Sequence, residues 1–243
     1  MARRSLKQAI AVAGALISFL GHAAAQNTAS IPSASVTDGE IFVEYRASYG
    51  ANDDGADDSF SQRIHVNFAP TGNLRLMAFI EQRKIGGGPL TTRRLSPNIF
   101  TQFVQTKTWD LAVRWQGDVP LQDGVPGRAR LALLNTVRVR DLEFRSNIYL
   151  GKEIGDTAPD GFLFETREEA TLRIAPKLRA GVQVFNNFVS TKNLGAFNNQ
   201  RHQAGPFVRA TLGKRLRIEA GALFGLSGAA TDAEARLFVG YSF

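Results

Sequence analysis

The chain of 243 residues contains no cysteine, which excludes disulfides, thiolate metal sites and the acylated cysteine of a lipoprotein. It also lacks any apolar run of the roughly eighteen residues that a membrane-crossing helix needs. The longest such stretch, Ile10–Leu20, is too short. Histidine is scarce: besides His22 near the N-terminus there are only His65 and His202, so few general bases are available. Acidic residues are only moderately outnumbered, 22 against 29 basic ones, and three of the basic residues (Arg3, Arg4, Lys7) cluster at the N-terminus. That excess does not call for a nucleic-acid partner.

Those three cations, the apolar run and the following Ala23-Ala24-Ala25 form the pattern of a secretory signal over residues 1–25. Cleavage there leaves a mature chain from Gln26. Residues 26–39 are small and polar and read as a flexible periplasmic lead-in, with a single domain over 40–243.

The C-terminal stretch Ala233–Phe243 alternates strictly, with Ala233, Ala235, Leu237, Val239, Tyr241 and Phe243 on one face and mostly polar or small residues on the other. It ends on an aromatic residue with a second aromatic two positions earlier. This segment resembles the last strand of bacterial outer-membrane β-barrels. The resemblance implies that Tyr241 and Phe243 form an assembly signal for the barrel-assembly machinery.

Alternating segments of about ten residues, the length of a tilted membrane strand, account for the rest of the domain. Their expected spans are 40–49, 59–69, 73–84, 93–106, 108–117, 128–139, 141–152, 162–175, 177–189, 201–212, 215–226 and 233–243. Short and long connections alternate between them, as in barrels with short periplasmic turns and long extracellular loops. A chain that spans lipid without helices must close its sheet to satisfy its backbone. The fold class is therefore all-β: a closed antiparallel transmembrane β-barrel of about 12 strands, with 10 as the alternative, in the bacterial cell outer membrane.

One parity is apolar throughout, as in Ile64, Val66, Phe68, then Trp109, Leu111, Val113, Trp115, then Leu216, Ile218, Ala220. Its aromatics lie near strand ends, at headgroup level. Asn135 and Glu168 break this face, and Pro206 falls inside a strand. β-bulges at Glu168 and near Pro206 would re-aim the local face and remove the conflict.

The other parity carries arginine on nearly every strand, with fewer acids, among them Glu44, Glu81, Glu143 and Glu219. Two readings follow. Arginine and glutamate can pair into a salt-bridged core that fills a narrow barrel, or surplus guanidinium groups can line a water-filled path for anions. In size, strand number and charge layout the chain resembles the small monomeric porins for acidic sugars, the oligogalacturonate-specific porins and sialic acid channels. That resemblance implies a ladder of inward guanidinium groups for carboxylates. Depth within the strands selects Arg63, Arg75, Arg114, Arg130, Arg145, Arg173, Arg209 and Arg236.

A catalytic or metal role finds less support. His65 faces inward and His202 begins a strand, but neither has a local nucleophile signature. The acidic loop Asn52–Asp58 lacks the spacing of a calcium loop, and Gly86-Gly87-Gly88-Pro89 lacks the lysine and helix of a phosphate cradle. The expectation is a non-enzymatic porin, with no cofactor and no metal, passing small anionic solutes such as acidic oligosaccharides. Outer-membrane lipid and lipopolysaccharide are its surroundings, nucleic acid is not a partner, and the chain acts as a monomer. The alternatives are a non-conducting structural, secretion or polysaccharide-export barrel and, less favoured, an outer-membrane lipid hydrolase.

Overall fold

The computed structural model describes residues 28–243 except 54 and 157. The expected signal segment, 1–25, lies outside the described residues. Twelve strands run in chain order: β1 Ile41–Ala51, β2 Ser59–Thr71, β3 Leu74–Ile85, β4 Thr91–Gln105, β5 Trp109–Pro120, β6 Gly127–Val139, β7 Leu142–Ile154, β8 Leu163–Ala175, β9 Leu178–Ser190, β10 Arg201–Leu212, β11 Leu216–Gly225 and β12 Ala233–Ser242. Each pairs antiparallel with its sequence neighbours, and β1 pairs with β12 from Phe42↔Ser242 to Ala51↔Ala233, which closes the barrel. Closure leaves no unpaired strand edge in lipid.

The loop rhythm is as the sequence suggested. Short turns (72–73, 106–108, 140–141, 176–177, 213–215) sit at one end, and longer connections at the other. Tight reversals require a positive φ, supplied by Arg140 at 55° and Gly213 at 63°. Outward-facing residues such as Ile64, Val66, Trp115 and Phe144 are exposed as a band, while the alternate positions are buried inside. Period-two alternation thus separates hydrocarbon from lumen along every strand.

The three exceptions on the outer face are resolved without the bulges expected from sequence. Glu168 pairs in unbroken register with Ser146 and Val184, and Pro206 with Val182. Side-chain bonds satisfy the two polar residues instead. Asn135 Oδ1 accepts from the Trp109 indole at 2.8 Å, and Glu168 accepts from Asn186 Nδ2 at 3.2 Å. Register shifts occur elsewhere, between Phe68 and Thr71, Glu81 and Gln82, Gln102 and Val104, Leu163 and Glu165, and Arg173 and Ala175.

Near the closing seam, glycine has a packing reason. A Cβ on Gly240 would stand 2.2 Å from the Phe42 ring, which lies across it inside the barrel. An inward aromatic covering a strand glycine holds the local register.

Candidate functional site

The lumen is built by the inward parity. At the long-loop end Asp118 accepts from Arg128 at 2.6 Å, Gln116 at 2.6 Å and Ser96 at 2.7 Å. Next to it Arg130 and Arg167 share Glu165 at 3.2 and 2.7 Å. Arg63 pairs with Glu81 across β2 and β3. Lower in the barrel Arg209 bridges Glu169 (3.0 Å) and Glu219 (2.6 Å), while Arg145 bridges Glu143 (2.7 Å) and Glu169 (3.3 Å).

Inward aromatics carry many of the guanidinium groups. The Arg167 guanidinium lies 4.2 Å from the Tyr149 ring centroid, that of Arg63 4.9 Å from Phe79, and that of Arg236 5.0 Å from Phe185 and 4.8 Å from Phe238. Arg75 and Arg114 share the Phe100 ring at 5.2 and 5.5 Å. Ring faces attract cations and hold the planar fork in place without consuming its donors.

The lumen also contains part of the chain. The sequence reading placed residues 26–39 outside as a periplasmic lead-in, whereas residues 28–36 rise from the short-turn end into the barrel. The Thr28, Ala29, Ile31, Ala34 and Val36 side chains are buried there. Guanidinium groups take the main-chain carbonyls of this segment: Arg145 binds Ile31 O at 2.9 Å, Arg167 binds Ser30 O at 3.3 Å, Arg236 binds Ala29 O, and Arg75 binds Ser35 O. Asn147 donates to Pro32 O at 3.0 Å. In return the Ala34 N–H donates to Thr136 Oγ1 at 2.9 Å and the Val36 N–H to Gln102 Oε1 at 2.8 Å. Ala34 nests with Phe100, Ala112, Ala132, Leu134 and Tyr149; Ala29 and Ile31 nest with Phe185 and Leu223. The physical reason for the inward course is that the lumen offers more donors than its carboxylates can accept. An uncharged backbone with small side chains fits the gap and supplies oxygens.

Beside this segment remains a cavity of about 350 Å³, lined by residues that include Arg46, Arg63, His65, Arg75, Arg114, Arg130, Arg145, Arg209 and Arg217. Among the residues expected from sequence, Arg63, Arg114, Arg130 and Arg236 are buried on the inner face, and Arg75, Arg145 and Arg209 are half-buried there. Arg173 departs from that expectation. Its side chain is 52% exposed at the short-turn end, 3.9 Å from Asp141, because parity gave its face correctly but not its depth. Glu44 and Glu81 are buried, and Glu143 and Glu219 half-buried; all four hold arginines. Tyr241 and Phe243 lie outside with rings 5.0 Å apart, and the Phe243 N–H bonds Ile41 O at 2.9 Å.

Sequence reasoning missed Arg94, Asp118, Arg128 and Glu153, all buried inward. Asp118 and Glu153 lie just past the strand ends the sequence suggests; β5 and β7 run further and bring them inside. His65 stacks on Phe79 with ring centroids 4.6 Å apart, and among the described residues its ring nitrogens have no hydrogen-bond partner. His202 faces outward, with Nδ1 2.8 Å from Asn186 Oδ1 and its ring stacked on Phe197.

The fold and this interior define a closed twelve-stranded transmembrane barrel with a polar, arginine-bearing core. No protein-family model and no curated protein matches the chain. Solved structures do. The KdgM porin in complex with disordered oligogalacturonate is similar at a TM-score of 0.62 and 9% identity, over 84% of this chain and 99% of that one. An outer-membrane channel from Pseudomonas putida F1 is similar at 0.67 and 7% identity, over 90% and 98%. The NanC porin follows at 0.56 and 10%, over 84% and 98%. The chain has the barrel architecture of these small outer-membrane porins and channels.

Proposed function

We propose that this protein is a monomeric outer-membrane channel through which small anionic solutes, acidic oligosaccharides in particular, diffuse passively. The observation that carries this reading is the set of guanidinium groups left over after ion pairing. Among the described residues Arg75, Arg114 and Arg217 border the 350 Å³ cavity and have no carboxylate within salt-bridge distance. Cations that face a watery passage without counterions favour anion entry. Lipopolysaccharide would surround the barrel, and the barrel-assembly machinery would read Tyr241 and Phe243.

A second reading, a non-conducting structural or export barrel, is favoured by the occupancy of the lumen by residues 28–36 and by the dense pairing around Glu165 and Glu169. A liposome swelling assay separates the two. The channel reading expects faster swelling with an acidic monosaccharide than with a neutral one of equal size. No swelling with either sugar supports the second reading.

A further inference from the structure

We infer that residues Thr28–Val36 are a tethered occupant of a binding track for linear polyanions, and that such a polyanion displaces the segment to open the lumen. The inference rests on the channel reading and names how its site is loaded. Four features of the segment point this way.

First, it engages the guanidinium groups in series. Arg75, Arg145, Arg167 and Arg236 bind the carbonyls of Ser35, Ile31, Ser30 and Ala29, an extended row of acceptors facing a row of donors. A linear chain of carboxylates presents acceptors in the same way. Second, the row is electrically unfinished at Arg75, which among the described residues has no carboxylate within salt-bridge distance, whereas Arg145, Arg167 and Arg236 each have a glutamate partner. The stretch Thr28-Ala-Ser-Ile-Pro-Ser-Ala-Ser-Val36 has no acidic side chain, so its carbonyls satisfy donors without cancelling charge. A carboxylate brings a full negative charge and two oxygens that match the guanidinium fork side by side, which a single neutral carbonyl does not, so a polyanion holds the stronger claim to the same forks.

Third, the segment can leave without cost to the wall. It adds no strand to the sheet, and all twelve strand pairings close without it. Its attachments are side-chain bonds, such as those to Thr136 and Gln102, and two small apolar nests. Fourth, the remaining 350 Å³ cavity touches both the segment and the arginines, so an incoming anion reaches the forks while the segment is still in place. Exchange can then proceed one fork at a time.

Because the natural chain is free of cysteine, a single engineered disulfide tests this cleanly. Ser33 Oγ and Thr136 Oγ1 are 3.3 Å apart, so the two side chains face each other at a place where a pair of cysteines can be joined. In planar bilayers with oligogalacturonate present, the oxidised Ser33→Cys/Thr136→Cys protein should conduct at least fivefold less than its reduced form, whereas without it the two forms should conduct alike. Reductant should restore the response to oligogalacturonate. As a second measurement, the Ser33→Cys protein alone should react severalfold faster with a soluble maleimide when oligogalacturonate is present, while a neutral oligosaccharide of equal length leaves the rate unchanged. Equal conductance of the oxidised and reduced states in the presence of oligogalacturonate, or a labelling rate indifferent to the polyanion, overturns the proposal. Failure of the underlying channel reading has a different signature: a reduced protein that opens but prefers cations keeps the segment as a gate and removes the anion path.

Discussion

At the scale of single residues, the lumen is a set of buried charges whose geometry depends on a few shared carboxylates. Asp118 is the clearest, with an arginine, a glutamine and a serine all donating to it. Removing one partner of a buried pair leaves an uncompensated charge, at a cost of roughly 3–5 kcal/mol. Asp118→Ala should therefore lower barrel stability by about 3 kcal/mol in urea unfolding from lipid bilayers, and a loss within error of zero would mean that water screens Arg128. In the first long connection, at residue 58, the Tyr49 hydroxyl donates to Asp58 and holds its carboxyl below the usual carboxylate range, helped by the Asn52 backbone N–H. The sign follows from the lowered value: the contact is intact above the ordinary carboxylate pKa and is lost as pH falls through the depressed one. In Tyr49→Phe the Asp58 carboxyl should titrate at higher pH, as NMR in detergent micelles would register. Arginine parity was legible in the sequence at this scale, but depth and partner were not. Arg173 has the right face and the wrong height, and Asp118 looked like a loop residue because only its continuation through Val119 and Pro120 shows that the strand persists.

At the scale of elements, the strands were legible because lipid outside and polar groups within force a strict two-residue period. The observed spans differ from the expected ones by at most a few residues at the ends. The bulges were not legible. Glu168 and Pro206 seemed to require a register change, yet both keep register, and a neighbouring donor on the same outer face satisfies Glu168 as another does Asn135. The segment 28–36 escaped for a different reason. Small uncharged residues carry neither period nor charge, and only the surplus donors of other strands draw them inward. The β1–β12 seam offers a test at this scale. Gly240→Ala forces a methyl against the Phe42 ring and should destabilise the barrel by about 1–3 kcal/mol through overpacking. In a Phe42→Ala background the same change should be nearly neutral, which a double-mutant cycle of unfolding free energies would establish. Equal costs in both backgrounds would show that the ring does not rest there.

At the scale of the whole molecule, the barrel divides its residues between a hydrocarbon-facing shell and a cationic interior that one piece of its own chain partly fills. The fold follows from pattern alone, whereas the proposed selectivity depends on how many guanidinium groups remain uncompensated. Arg75, Arg114 and Arg217 belong to that remainder. Changing all three to glutamate should move ion preference toward cations, measured in the same cell as the parent protein. The most direct measurement is the reversal potential of the unmodified protein in a planar bilayer under a salt gradient. A potential of the sign set by anions carrying most of the current is the expected result. A cation-selective reversal, or one at zero, would contradict a lumen governed by its arginines.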